Sequence, residues 1–125
     1  MDANLVKALI ASESGFNSNA WNHRRGKNAA YGLMQVTSDS VQLLKNPKEL
    51  REHFVNLSTS DMKDPNLSIC AGIRWLFRKK QLQEAKLKRS VSWRDVVAAY
   101  KGVSSDDKKL MPKFDEHYRK LKERK

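Results

Sequence analysis

The chain has 125 residues, of which 39% are hydrophobic, including three Trp and four Phe; this composition excludes an intrinsically disordered chain and suffices for one domain with its own core. The 25 Lys and Arg residues outnumber the 14 Asp and Glu residues and give a net charge of +11, which predicts attraction to polyanions such as nucleic acid, anionic lipid or the acidic polymers of a bacterial wall. The single cysteine, Cys70, excludes a disulfide within the chain.

The first predicted helix begins after Asp2, a suitable N-cap, and ends near Gly15, because glycine readily adopts the left-handed conformation that closes a helix. Leu5, Leu9 and Glu13 follow one another at spacings of four, so the stripe expected to face the core ends on a carboxylate. Loss of solvent disfavours the charged form of a carboxyl group, so a glutamate placed there can hold a proton near neutral pH and deliver it to a leaving oxygen. From the spacing alone, a glutamate that turns outward or pairs with a buried arginine is an equal alternative.

The segment from Asn17 to Ala30 is rich in asparagine and predicts a loop. Two short helices follow, one capped by Thr37 or Ser38 and one that begins at Asn46-Pro47 and runs to about residue 55. No segment alternates cleanly between apolar and polar residues, so strand patterns are almost absent.

The longest predicted helix covers roughly residues 65–88, after the start pattern Asp64-Pro65. Its spacing predicts an inward row of Leu67, Cys70, Ile73, Leu76 and Phe77. On this reading Cys70 is a small core residue rather than a nucleophile, since nothing near it in the sequence would activate a thiol.

Two more helices complete the chain. Ser92 starts the first and Gly102 stops it, and the second presents Phe114, Tyr118 and Leu121 at spacings of four and three. The sequence therefore predicts an all-α protein, with several short helices around one long central helix and little or no sheet. We expect a single domain over residues 1–125 that ends in a basic C-terminal helix from about residue 106.

Four blocks of the sequence together resemble a known family. They are ESGFNSNA at 13–20, YGLMQV at 31–36, NLSICAGIRWL at 66–76 and AAY at 98–100. In order and spacing they resemble the catalytic domain of the Slt-type lytic transglycosylases, lysozyme-like enzymes that cut the glycan of bacterial peptidoglycan. The resemblance covers about residues 3–103 and implies the lysozyme-like fold.

The resemblance also implies a set of site residues. The family's catalytic glutamate falls on Glu13, and the substrate-binding or orienting positions fall on Ser14, Met34, Gln35, Asn66 and Tyr100. Gln35 is expected to line the substrate cleft, Tyr100 to approach the catalytic carboxyl, and Asn66 to shape the long helix under the site. For Met34 the residue type favours packing over contact with a ligand.

The sequence departs from the family at two places. The family has Ala-Tyr-Asn where this chain has Tyr100 followed by Lys101. The substrate contacts that the resemblance would assign to the asparagine are therefore not expected from this position. The loop from Trp21 to Ala30 is basic and longer than the family's usual turn, and is either a specificity loop or a surface excursion.

Glycoside cleavage ordinarily uses two carboxylates, and no second acid is evident, because Asp39, Asp61 and Asp64 occupy capping or loop positions. The resemblance implies a one-acid reaction in which Glu13 protonates the leaving oxygen and then deprotonates the 6-hydroxyl of N-acetylmuramic acid, giving a 1,6-anhydro sugar. A hydrolytic muramidase with Asp39 or another acid as its second carboxylate remains an alternative. A catalytically inactive, basic wall-binding module is another.

Partners and ligands follow from the same reading. The histidines His23, His53 and His117 show no metal-ligand spacing, so we expect neither a metal nor a cofactor. Aromatic residues lie on apolar rows rather than among the basic runs, so no specific nucleic acid is expected. We expect a monomer that binds peptidoglycan glycan strands in the periplasm or cell envelope, within wall turnover or a secretion, conjugation or phage assembly. No basic segment opens the chain, so we expect that an export signal has been removed or that another machine delivers the protein.

Overall fold

The computed structural model describes residues 1–23 and 28–124. These residues form six α-helices, one 3-10 turn and three short strands. The helices are α1 (Ala3–Ser14), α2 (Ser38–Leu44), α3 (Pro47–Leu50), α4 (Pro65–Leu87), α5 (Trp93–Lys101) and α6 (Met111–Glu123), and the strands are β1 (Trp21–His23), β2 (Ala29–Tyr31) and β3 (Val36–Thr37). The predicted mainly helical, lysozyme-like class with one long helix and little sheet is confirmed.

The three strands form an antiparallel sheet in the order β1-β2-β3, in which Asn22 lies opposite Ala30 and Ala30 lies opposite Thr37. The prediction of a continuous loop over residues 17–30 is therefore wrong at β1 and β2. Strands of two or three residues are too short for an alternating pattern to be visible in the sequence. No helix in the described part of the chain is long and apolar enough to cross a bilayer.

The structure groups the chain into two compact units, Met1–Ser12 with Leu76–Lys125 and Glu13–Trp75. In the first unit, the start of α1 is capped as predicted, since Asp2 Oδ1 accepts a hydrogen bond from the Leu5 N–H at 2.8 Å. The Tyr118 hydroxyl donates to Asp2 Oδ2 at 2.5 Å and so ties α6 to the start of α1. This bond lowers the pKa of Asp2 and raises the pKa of Tyr118. The largest fully buried side chains of this unit are Leu9, Leu76, Val96, Val97, Met111 and Phe114.

The connection between α4 and α5 is held by Glu84. Its carboxylate accepts from Lys80 Nζ at 2.6 Å and from the Val91 N–H at 3.1 Å, and the bond from Lys80 is the main cause of a lowered Glu84 pKa. Ser92 caps α5 through the Asp95 N–H at 3.1 Å. Gly102 ends that helix at φ +76°, as predicted.

In the second unit, the caps of the two short helices are confirmed. Thr37 Oγ1 accepts from the Ser40 N–H at 3.2 Å, and Asn46 Oδ1 accepts from the Lys48 N–H at 2.9 Å. The predicted extension of α3 to about residue 55 is wrong, because the helix ends at Leu50 and the next residue, Arg51, has φ +66°.

The carbonyl groups beyond α3 bond to α4 instead of continuing a helix. Arg74 Nε donates to the His53 carbonyl at 3.0 Å, and Arg74 Nη2 donates to the Glu52 carbonyl at 3.3 Å. Such contacts between distant parts of the chain have no counterpart in the local sequence pattern.

The inward row predicted for α4 is partly wrong. Leu76 is buried and Leu67 and Ile73 are half-buried, but Cys70 and Phe77 are exposed. The face that is buried instead consists of Ser68, Ala71, Gly72, Trp75 and Leu76. Small side chains there allow close packing, which a count of large apolar residues does not detect.

Candidate active site

Glu13 lies in the last turn of α1 and is half-buried. The helix ends immediately after it, where Gly15 at φ +60° and Phe16 at φ +64° turn the chain away. A helix end that is closed this sharply holds the backbone of Glu13 in one place while its side chain keeps partial access to solvent. That access is what a group exchanging protons with a substrate requires.

Ser14 joins the end of α1 to the turn that follows β2. Its Oγ donates to the Leu33 carbonyl at 2.8 Å, so two of the blocks that resemble the family, around Glu13 and around Gly32–Gln35, meet within one compact unit. Ser14 thus fixes the backbone next to Glu13.

The turn itself depends on Gly32, which has φ +78°. A Cβ atom at this position would collide with the carbonyl oxygen of Met62, so no other residue fits without movement of the backbone. The Gly32 N–H donates to the Ala20 carbonyl at 2.9 Å, which attaches the turn to the segment just before β1.

Met34 is completely buried beside α4. Its N–H donates to Ser68 Oγ at 3.3 Å, and a Cβ atom added to Gly72 would lie 2.9 Å from the Met34 Cβ. In this position Met34 acts by packing the turn onto α4, the role favoured by its residue type, and offers no surface to a ligand.

Gln35 is only 3% exposed and has φ +51°. Its Nε2 donates to the Gly32 carbonyl at 3.0 Å and to the Ala20 carbonyl at 3.3 Å, and its Oε1 accepts from Asn22 Nδ2 at 2.7 Å. Both ends of the amide are therefore occupied. The side chain links the turn to β1 by hydrogen bonds. Any effect of Gln35 on a bound substrate would therefore come from the position it gives to Asn22 and to the backbone of the turn.

Asn66 is the second residue of α4 and is exposed. The first turn of that helix is capped by Asp64, whose Oδ1 accepts from the Leu67 N–H at 3.1 Å. The part of Asn66 in the site remains a prediction.

Tyr100 and Lys101 form the last turn of α5 in the first unit. Tyr100 is half-buried, whereas Lys101 is 9% exposed and its Nζ donates to Ser12 Oγ at 2.8 Å. Ser12 Oγ in turn donates to the Leu9 carbonyl at 3.0 Å. The last turn of α1 contains no basic residue of its own, so Lys101 supplies the positive charge that stabilises a helix C-terminus.

Sequence reasoning did not single out two exposed aromatic residues that follow Glu13. Phe16 is 60% exposed and Trp21 is 52% exposed, with the Trp21 ring in edge contact with His23 at 4.6 Å between centroids. Large aromatic groups in an otherwise polar segment were the available clue. Residues 24–27, which contain the three Arg and Lys residues of the loop after Trp21, lie outside the described residues.

No group of three His, Cys, Asp or Glu side chains within residues 1–23 and 28–124 is arranged to hold a metal ion. The candidate site combines the half-buried carboxyl group of Glu13 with a neighbouring turn that is held by hydrogen bonds.

These features define a class: a mainly helical, lysozyme-like protein with a glutamate at the end of its first helix. The family model described as the transglycosylase SLT domain matches residues 1–121, and the chain belongs to this family. The predicted resemblance is thereby confirmed. No curated protein and no solved structure matches the chain. Family membership supports cleavage of peptidoglycan of the lytic transglycosylase type, which places such domains in the bacterial envelope in general.

Proposed function

We propose that this protein is a lytic transglycosylase that cleaves the β-1,4 bond between N-acetylmuramic acid and N-acetylglucosamine without consuming water. Glu13 protonates the glycosidic oxygen as the bond to the anomeric carbon breaks. The acetamido oxygen of the substrate stabilises the positive charge that develops at that carbon. The Glu13 carboxylate then takes the proton of the 6-hydroxyl, whose oxygen bonds to the anomeric carbon and forms the 1,6-anhydro sugar.

The observation that carries this proposal is the hydrogen bond from Ser14 to the Leu33 carbonyl. It attaches the end of the helix that bears Glu13 to the braced turn formed by Gly32–Gln35. A fixed backbone next to the acid supports a defined position for the carboxyl relative to a sugar ring, and such positioning lowers a reaction barrier substantially.

Exposed aromatic rings and the positive net charge support a substrate that is a sugar chain carrying negative charges. Phe16 and Trp21 present apolar ring faces to solvent close to Glu13 in the chain, and sugar rings pack well on such faces. The net charge of +11 attracts the carboxylates of the peptide stems and acidic wall polymers. We propose glycan strands as the partner and the periplasm or cell envelope as the site of action.

The proposal is tested by mass spectrometry of the fragments released from purified peptidoglycan. The wild type should release anhydro-muropeptides, each lighter by one water than the hydrolysed form. Glu13→Gln should reduce their release by at least about a hundredfold, the usual contribution of a general acid and base.

Glu52→Gln is the matched control, because Glu52 lies in the same compact unit, is exposed and undergoes the same change of charge. It should behave as the wild type. Reducing-end products lost in Glu13→Gln would instead establish a muramidase. Retained wall binding without any release would establish a binding module.

A further inference from the structure

Gln35 and Asn22 form a pair of amide side chains where the Gly32–Gln35 turn meets β1. Gln35 is buried, and its Nε2 donates to the Gly32 carbonyl at 3.0 Å and to the Ala20 carbonyl at 3.3 Å. A carbonyl oxygen only accepts hydrogen bonds, so these two contacts fix which end of the Gln35 amide is the nitrogen. The oxygen Oε1 therefore faces Asn22.

The orientation of Gln35 in turn determines the orientation of Asn22. Because an amide oxygen does not donate, the atom that lies 2.7 Å from Gln35 Oε1 is Asn22 Nδ2. The other end of the Asn22 amide is the oxygen Oδ1, which accepts no hydrogen bond from the described residues. Asn22 is exposed and turns its nitrogen towards the buried Gln35, so Oδ1 is the end of the amide that a ligand meets.

This amide pair is attached to the same turn as the residue after Glu13. Ser14 Oγ donates to the Leu33 carbonyl at 2.8 Å, and Gln35 Nε2 binds the carbonyl of the residue before Leu33. All of these residues belong to the second compact unit. The end of α1 that bears the acid and the outward amide of Asn22 are therefore held by two neighbouring peptide groups.

The strand β1 leaves room for a ligand beside Asn22. It is the outer strand of the sheet that the described residues form, and all three of its residues are exposed. Asn22 lies opposite Ala30, whose small side chain is on the same face of the sheet. Trp21 and His23 point to the other face, because side chains alternate along a strand. The contribution of Asn22 to binding can thus be tested apart from that of the aromatic rings.

We propose that Asn22 is a substrate-binding residue whose Oδ1 accepts a hydrogen bond from the N–H of an acetamido group of the glycan. The identity of this ligand rests on the proposed function. An N–H group only donates, so an acceptor held in one direction selects it, whereas a sugar hydroxyl can turn to another partner. Gln35 is then a positioning residue, which sets the direction of the Asn22 amide without touching the substrate.

The test compares two soluble probes, the β-1,4-linked pentamers of N-acetylglucosamine and of glucose, which differ in the acetamido group at C2. Binding is measured by NMR titration of the whole protein carrying Glu13→Gln, so that the probe stays intact. Asn22→Ala should weaken binding of the N-acetylglucosamine pentamer by about two- to tenfold, the effect of one neutral hydrogen bond, and leave binding of the glucose pentamer unchanged. Equal weakening for both pentamers, or none for the first, would overturn the proposal.

Asn56→Ala is the matched control, because Asn56 is an exposed asparagine of the same compact unit in the segment after α3. It should leave the affinity for both pentamers unaltered. Urea denaturation should show that Asn22→Ala remains folded, since the side chain is at the surface. Losses of the same size in Asn22→Ala and Asn56→Ala would overturn the assignment to Asn22.

A double variant tests the positioning role of Gln35. Gln35→Met has a similar length but cannot accept from Asn22, so it should weaken binding of the N-acetylglucosamine pentamer, and Asn22→Ala should add little in that background. Additive losses would give Gln35 a substrate contact of its own and overturn its role as a positioning residue. If Gln35→Met fails to fold, the comparison of Asn22→Ala with Asn56→Ala decides.

These titrations do not depend on cleavage of a bond. Equal losses for the two pentamers in a protein that releases anhydro-muropeptides would overturn this inference alone. The expected selective loss in a protein that releases no anhydro-muropeptides would support Asn22 as a sugar contact and overturn the proposed reaction alone.

Discussion

Lys101 differs from the residue expected at its position in the family and makes a hydrogen bond of its own to α1. It stands where the family has asparagine, and its ammonium is anchored to Ser12, the residue before Glu13. A charged hydrogen bond at a helix C-terminus stabilises that helix. The last residue of α5 therefore holds α1 at Ser12.

Removal of this ammonium should loosen the end of α1. We expect Lys101→Met to lower the free energy of unfolding by about 1 to 2 kcal/mol, measured by urea denaturation. Lys108→Met, an exposed change of the same kind, should have almost no effect. Equal stability of Lys101→Met and the wild type would show that the Ser12 contact has no energetic role.

Individual residues also show what the sequence can predict. The caps at Asp2, Thr37 and Ser92 were predictable because each bonds to an N–H three residues away. The hydrogen bonds of Gln35 were not, since its partner Asn22 lies thirteen residues earlier in the chain, and its place along the substrate cleft stays a prediction. The catalytic role of Glu13 is predicted from its place on the apolar stripe and from the family blocks around it, and it stays a prediction.

At the scale of elements, the packing of the long helix depends on Gly72. A Cβ atom there would contact Met34 along its whole side chain, including its Cβ at 2.9 Å. Overpacking of this kind costs about 1 to 3 kcal/mol, partly offset by the gain of about 1 kcal/mol when alanine replaces glycine in a helix. We expect Gly72→Ala to unfold at a lower urea concentration than the wild type.

A double variant identifies the cause. Met34→Ala removes the side chain that Gly72→Ala would strike, so the second substitution should be harmless or stabilising in that background. Additive effects of the two substitutions would contradict a direct clash between them.

The stability of the connection between α4 and α5 should depend on pH because of Glu84. Its folded-state pKa is below the ordinary value of 4.5, chiefly because of the hydrogen bond from Lys80. The bond therefore contributes stability that is complete above the ordinary value and is lost as pH falls through the lower folded-state value. Glu84→Gln should be less stable than the wild type at neutral pH, and the difference should disappear in acid as the pH falls below the folded-state pKa of Glu84.

Lys80→Met removes the same bond from its other partner. It should reproduce the loss at neutral pH and its disappearance in acid, both followed by urea midpoints. A deficit that is the same at both pH values would assign the effect to packing beside Trp93, whose ring lies 5.6 Å from Lys80 Nζ, rather than to the ion pair.

Some boundaries of helices and strands could likewise be predicted from the local sequence, and others could not. The starts of α2, α3, α4 and α5 were read from local caps, whereas the early end of α3 and the short strands were not. Arg74 draws the carbonyl groups after α3 to α4, and the buried face of α4 follows its small residues. Both effects arise from contacts that are distant in the sequence.

For the whole molecule, the net charge of +11 predicts attraction to polyanions such as wall polymers, but it does not determine which reaction the protein catalyses. Binding to any polyanion weakens as salt is added, so affinity for peptidoglycan does not separate an enzyme from a wall-binding module. Whether water is incorporated into the product does distinguish the two reactions, since hydrolysis consumes water and formation of the anhydro sugar does not.

The most direct measurement is digestion of purified peptidoglycan in water labelled with heavy oxygen, followed by mass spectrometry of the released muropeptides. Glu13 acting as acid and then base predicts anhydro-muropeptides that contain no label and are absent with Glu13→Gln. Labelled reducing ends released by the wild type would contradict the transglycosylase reaction and require a second acid beside Glu13.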